Sequence, residues 1–185
     1  MAVYIIEHLD GRLWKWCLIE YKHISKIVGK KSLWFTNVKS KELGKYGKVV
    51  GKPVSELSLK RACVLDPDAK KILTSKEAKK FKYFIFGGIL GSYPRKKRTG
   101  KELTDKLKFK ARNIGKKQFS TDNAVNVVKE IVNGKRLSDL RFRDEIEIQL
   151  GKYDSVVLPY RYLIVKNKPL ISKELIEYLK RRKEF

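Results

Sequence analysis

The chain is poor in the residues that brace or arm a small protein by covalent or metal chemistry. Of its 185 residues, two are cysteine, two are histidine and one is methionine. Cys17 and Cys63 each lie in an apolar stretch, which reads as two buried, reduced thiols rather than a disulfide. With no CxxC and only His8 and His23, a zinc site lacks a ligand set, and no metal is expected. There is no HExxH, no Ser-His-Asp order and no nucleophile elbow. No apolar run approaches the roughly 20 residues of a membrane span. The start, MAVYIIEHLDG, has neither a basic n-region nor the apolar length of a signal peptide. A cytosolic protein without a membrane partner is expected. Acidic residues are scarce too: 20 Asp and Glu face 44 Lys and Arg, for a net charge of +24. No core requires such an excess, and self-repulsion opposes compactness unless a polyanion relieves it. Nucleic acid or a ribonucleoprotein is the expected partner, and a lysine-rich surface serving solubility is the plainer reading.

What is present suffices for a core. Apolar residues make up 42% of the chain, and no low-complexity linker or repeat divides it, so one compact unit is expected. VYIIEHL (3–9), LWFTNV (33–38), ACVLD (62–66) and YFIFGGI (83–89) read as short buried strands. Between them, Trp14, Cys17, Leu18, Tyr21, Ile24 and Val28 recur at helical spacing up to Gly29, and TSKEAKKF (74–81) reads as a short capped helix. The alternation predicts an α/β fold with a mostly parallel sheet flanked by helices. STDNAVNVVKEIVNG adds a helix stopped by Gly134. IEIQLGKYDSVVLPYRYLIV adds strands with tight turns, and SKELIEYLKRRKEF a terminal helix.

Three loops carry candidate chemistry. FIFGGILG (84–91) puts a glycine turn at the end of an apolar strand. It is neither GxGxxG, since Phe86 stands where glycine would be needed, nor a P-loop. It offers bare main chain at the carboxyl end of a parallel strand, where open α/β sheets place ligands; a purely structural turn is the alternative. Leu65-Asp66-Pro67 ends the preceding strand, and Asp66 suits either a ribose hydroxyl or an Asx turn. In QFSTDNA (118–124) a strand passes into a helix, so Ser120, Thr121 and Asp122 either cap that helix or frame a ligand at its N-terminus. Between Arg95 and Lys117, eleven Lys and Arg stand against Glu102 and Asp105 alone, which reads as a phosphate-tracking surface or a solvated loop.

The blocks IIEHL, IEYKHI, LWFTNV, VLDPDAKK, FIFGGILG, PRKKRTGKEL, GKKQFSTDNAV and DSVVLPYRYLIV occur in the order of a SPOUT-class methyltransferase family, which the chain resembles. That family groups archaeal RNA methyltransferases with a eukaryotic protein arginine methyltransferase acting on a ribosomal protein. The resemblance spans about residues 3–176 and implies a core over 1–135 with a deep trefoil knot, an exception among folds, and an extension over 136–185. It implies S-adenosylmethionine as cofactor, held by Leu65, Asp66 and Pro67, by Phe86, Gly87, Gly88, Ile89, Leu90 and Gly91, and by Gln118, Phe119, Ser120 and Thr121. SPOUT enzymes commonly dimerise through the knot, so a homodimer, or a monomer if the extension covers that surface, follows.

After the glycine turn, relatives carry an acidic residue and a PRDRT-like segment, whereas this chain has Ser92 and PRKKRT. Holding and deprotonating a guanidinium calls for carboxylates, so the substitution favours RNA as the methyl acceptor, with Arg95, Lys96 and Lys97 on its phosphates. Arginine methylation of a ribosomal protein is the rival, with Asp144 and Glu145 (beside Glu147) as guanidinium holders. A third reading is an RNA-binding protein that has lost activity. Arg98 is the candidate to position an acceptor, Asp122 to act as base or orienting group, and Glu7 as a further base. A surface ion pair, a helix cap and a strand-end salt bridge are the respective structural alternatives to these roles.

Overall fold

The computed structural model describes residues 1–91 and 96–181. Strands β1 (Val3–His8), β2 (Leu33–Thr36), β3 (Lys48–Val50), β4 (Ala62–Leu65), β5 (Tyr83–Gly88) and β6 (Lys110–Arg112) form one six-stranded sheet, ordered β3-β2-β1-β5-β4-β6. Every neighbouring pair is parallel. Side chains alternate across a strand, so β1 sends Tyr4 and Ile6 to one face and Ile5 to the other, all buried. A sheet covered on both sides needs such continuous apolar strands.

On the first face lie α1 (Lys15–Val28) and α3 (Thr121–Val132), whose Cys17, Tyr21, Ile24, Val125 and Val128 join the main core. Gly29 ends α1 at φ 81°, a left-handed position that suits glycine. The second face has a thinner cover: Val54, Leu103 and Leu107 reach it from short turns. The expected helix over 74–81 shrinks to α2 (Ser75–Ala78), with Thr74 Oγ1 accepting from Glu77 N at 3.2 Å.

Strands β3 and β6 are not anticipated by the sequence reading. Both are three residues long and sit at the sheet's two edges, where Lys48 and Lys110 stay in solvent and mask the apolar pattern. Beyond α3, the chain builds a small antiparallel sheet from β7 (Phe142–Arg143), β10 (Tyr162–Val165) and β11 (Lys168–Pro169). A hairpin, β8 (Ile146–Gln149) with β9 (Ser155–Leu158), and helix α4 (Lys173–Arg181) complete it. These pack on Ile19 of α1 through Ile146, Ile148, Leu158, Tyr162, Leu175 and Leu179. The buried amide of Asn123 stitches α3 to this layer: its Oδ1 accepts from Leu163 N at 2.8 Å and its Nδ2 donates to Leu170 O at 2.9 Å.

Candidate active site

The register brings the ends of β1, β4, β5 and β6 to one edge, pairing Glu7 with Gly87, His8 with Gly88, and Leu65 with Arg112. There the chain opens a cleft of about 1020 Å³, with the open solvent at its mouth included. Its walls include Leu65-Asp66-Pro67, Phe86-Gly87, Ile89-Leu90-Gly91 and the whole run Gln118 to Thr121. The three loops thus share one cavity. Gly88 is the exception: it is buried outside the lining, where a Cβ would stand 2.2 Å from Tyr21 Oη and 2.8 Å from Ile6 Cγ2. It is glycine because the sheet packs against it there.

The glycine turn is pinned from the β1 side. Asp10 Oδ2 accepts from Leu90 N at 2.7 Å, and its Oδ1 accepts from Arg98 Nη1 at 2.7 Å. Arg98 also donates to Leu9 O at 3.1 Å and to Glu102 Oε1 at 2.6 Å. These carboxylates hold its guanidinium above its usual basicity, Glu102 first. Arg98 therefore lines the cleft as a strap that fixes loop to strand, with most of its donors engaged. Asp66 accepts from Thr104 Oγ1 at 2.6 Å and, in an Asx turn, from Asp68 N at 2.9 Å.

The third loop leans on the C-terminal layer. Arg161 N donates to Gln118 O at 2.7 Å, and the Arg161 guanidinium lies 5.0 Å from the Phe142 ring centroid while its Nε donates to Asp144 Oδ1 at 2.6 Å. Tyr160, next in the chain, forms part of the cleft wall. Asp144 also accepts from Lys117 Nζ at 2.5 Å. Its carboxylate is held below its usual pKa, by Arg161 and then Lys117. The structure places Asp144 and its exposed neighbour Glu145 outside the cleft lining, with Asp144 already committed to two cations.

Glu7 lies elsewhere as well. Its buried carboxyl accepts from Thr36 Oγ1 and from Val54 N at 3.0 Å, closing the end of β2 rather than the cleft. Burial pushes it above the usual carboxylate range. Asp122 sits behind the wall, 2% exposed, accepting from Ser120 Oγ at 2.7 Å and Asn123 N at 2.8 Å, with His23 Nδ1 at 2.6 Å. Lys96 and Lys97 line the mouth. Arg95 and Ser92 lie outside the described residues.

The sequence reading passes over one cleft residue with an unusual carboxyl group. Glu20, on α1, is buried yet part of the lining, with Trp16 Nε1 donating to its Oε1 at 2.9 Å one helical turn away. Burial, and after it the neighbouring charge of Asp122, push its pKa up to about 8 against the hydrogen bonds of Trp16 and Thr121. A signal existed: Trp16, Glu20 and His23 form a stripe at helical spacing beside the core stripe Cys17, Tyr21 and Ile24.

The sequence pattern of the SFM1-like protein arginine N-methyltransferase family matches residues 3–184. This chain belongs to that family. Protein arginine N-methyltransferase SFM1 of Saccharomyces cerevisiae is 31% identical over 201 residues, covering 96% of this chain and 94% of the yeast protein. Crystal structures of the yeast arginine methyltransferase SFM1 complexed with SAH and with SAM each superpose with a TM-score of 0.86 at 29% identity. They cover 96% and 97% of this chain, and 94% and 90% of theirs. A dual-specific Trm10 from Thermococcus kodakaraensis aligns with a TM-score of 0.58 at 22% identity, over 75% of this chain and 96% of that one, and shares the SPOUT fold.

The family's cofactor fits the cleft. Leu65, Ile89, Leu90, Ile114 and Ala124 offer apolar surface to a flat base, Gly87 and Gly91 bring glycine main chain to the wall, and the acidic residues Asp66 and Glu20 belong to the lining of a site for a cationic ligand.

Proposed function

We propose that this S-adenosylmethionine-dependent methyltransferase methylates an arginine side chain of a protein, with Glu20 as the group that meets the guanidinium. The observation that carries the reading is the buried Glu20 carboxyl on the cleft wall, held by Trp16. Membership of the SFM1-like family supports it. The basic run after the glycine turn lacks acids, which favoured RNA as acceptor; Glu20 supplies the missing carboxylate from a different element.

When bound, S-adenosylmethionine supplies an electrophilic methyl group on a sulfonium. The loops Leu65–Pro67, Phe86–Gly91 and Gln118–Thr121 would hold it, and Arg98 with Asp10 keeps the second loop in place. Trp16 and Thr121 fix the Glu20 carboxyl. An entering guanidinium favours the ionised carboxylate, since an opposite charge stabilises it. The carboxylate then orients the attacking nitrogen and accepts the proton that nitrogen loses. A carboxyl with a raised pKa is a stronger proton acceptor than an ordinary one. Asp122, anchored by Ser120 and His23, keeps Glu20 basic from behind. We take the acceptor to be a ribosomal protein, free or within a ribosomal subunit, met in the cytosol.

The test is methyl transfer to arginine peptides and to ribosomal proteins with labelled cofactor, for the wild type and Glu20→Gln. Label on arginine that falls at least about 100-fold in the variant, with cofactor affinity within about twofold, supports the reading; general bases contribute about this much. Label on RNA, or full activity in the variant, overturns it.

A further inference from the structure

The cleft occupies the carboxyl edge of the sheet. The amino edge, at the other ends of the same six strands, carries a charge pattern that the reaction does not use. Because all six strands run parallel, the residues that open them line up on one side. Lys31 precedes β2, Lys48 opens β3, Arg61 precedes β4, Lys82 precedes β5 and Lys110 opens β6, all exposed. The four residues before each of these five strands contain no aspartate or glutamate. None of these five cations makes an ion pair among the described residues, whereas Arg98, Arg112, Lys117 and Arg161 towards the cleft edge are all paired. Arg61 is held in place, donating to Lys80 O at 2.7 Å from a left-handed backbone at φ 62°.

Two aromatic rings stand in this row. Trp34 and Tyr83, half-buried and reaching across β1, lie 5.7 Å apart between centroids. Lys48 Nζ is 4.1 Å from the Trp34 ring and Lys82 Nζ 5.2 Å from the Tyr83 ring. Six strands at about 4.8 Å make a track roughly 24 Å long. A solubility surface is served by charges of both signs, interspersed; the segments leading into these five strands carry one sign only, beside aromatic rings.

We propose that the amino edge of the sheet is a docking track for RNA, centred on Lys48, Trp34, Lys82, Arg61 and Lys110. Cations along a line follow a phosphate backbone, and the rings offer a face to an unpaired base. RNA fits better than an anionic membrane, which would call for exposed apolar residues among the lysines; here the rings are half-covered. Strands of three to six residues put the track about 10–20 Å from the cleft. RNA is therefore held at one end of the sheet while a methyl acceptor enters at the other. This also reconciles a chain of charge +24 with arginine-bearing substrates, which are basic themselves: RNA bound to the acceptor screens their repulsion.

The test is fluorescence anisotropy with a fluorescein-labelled 12-nucleotide oligouridine, at salt from 50 to 300 mM, alongside sedimentation with phosphatidylserine vesicles. The variant is Lys48→Glu/Lys82→Glu/Lys110→Glu. The control is Lys152→Glu/Lys166→Glu/Lys168→Glu, which changes the charge equally on the C-terminal layer. Cofactor binding and the melting curve verify that both fold. We expect the track variant to bind at least about tenfold more weakly, with the slope of log K against log salt reduced by about 2, as three lost phosphate contacts predict at about 0.7 each. The control variant should lose less than threefold. Equal losses in both variants overturn the proposal, as does absence of RNA binding by the wild type or tighter binding to the vesicles. None of these outcomes depends on the acceptor being arginine.

Discussion

In the proposed reaction, Glu20 concentrates most of the chemistry in one side chain. Burial and the charge of Asp122 lift its pKa to about 8, and ionised Glu20 is the form that attracts a guanidinium. The kcat/KM for an arginine peptide should therefore rise with pH through about 8 and then level off, and Glu20→Gln should flatten that limb. The same shift bears on stability. The folded-state pKa lies above the ordinary 4.5, so the stabilisation is complete below about pH 4.5 and is lost as pH rises through about 8. Melting temperatures of the wild type and Glu20→Gln compared at pH 5 and pH 9 should show the wild type losing more. Gly88 gives a second prediction. A methyl group there meets Tyr21 Oη and backbone Glu7 O, so Gly88→Ala should destabilise by about 1–3 kcal/mol in urea unfolding. Glycine at 88 was visible in the sequence, but its reason was not: that depended on Tyr21 crossing behind the turn. Glu20 was hidden for a related cause, since a single acid on an amphipathic helix looks like its solvent face until a wall is built against it.

At the scale of elements, the cleft is three loops braced from outside. Asp10 ties the glycine turn and Arg98 to the end of β1, and Arg161 ties the third loop to β10. Asp10→Ala should weaken cofactor binding by calorimetry about tenfold, a loss comparable to one charge-assisted hydrogen bond, without unfolding the sheet. In α4, Leu179 is fully buried against the hairpin and α1. Leu179→Ala should cost about 2–5 kcal/mol and, because Tyr160 belongs to the same layer, weaken cofactor binding too. The four long strands, α1 and α3 were legible in the sequence because each buries a continuous apolar stretch. The edge strands β3 and β6 were not, because half of each faces water. The loops were legible as turns, but their meeting in one cleft depends on parallel register, which no single segment states. Asp144 looked like a free acid in the sequence; its two cations come from residues 27 and 17 positions away.

Across the whole molecule, one sheet separates two edges of different character. Its carboxyl edge holds a cleft with acidic residues in its lining, and its amino edge a row of cations that make no ion pair among the described residues. The C-terminal layer covers Ile19 of α1 and supplies Tyr160 to the cleft; on that ground we propose a monomer, which size exclusion with light scattering would show as a single-chain mass. The excess charge was plain from composition and pointed towards RNA, yet composition could not say which edge carried it. The knot implied by the SPOUT class leaves no mark in hydrophobic periodicity, so only the resemblance pointed to it. The proposed reaction turns on an arginine acceptor received by Glu20. Its most direct measurement is mass spectrometry of methylated products after incubating ribosomal subunits with deuterated-methyl cofactor and either wild type or Glu20→Gln. A labelled methyl on an arginine side chain of a ribosomal protein is expected with the wild type, and almost none with the variant. A labelled methyl on a nucleotide, or on arginine at equal yield with both enzymes, would contradict it.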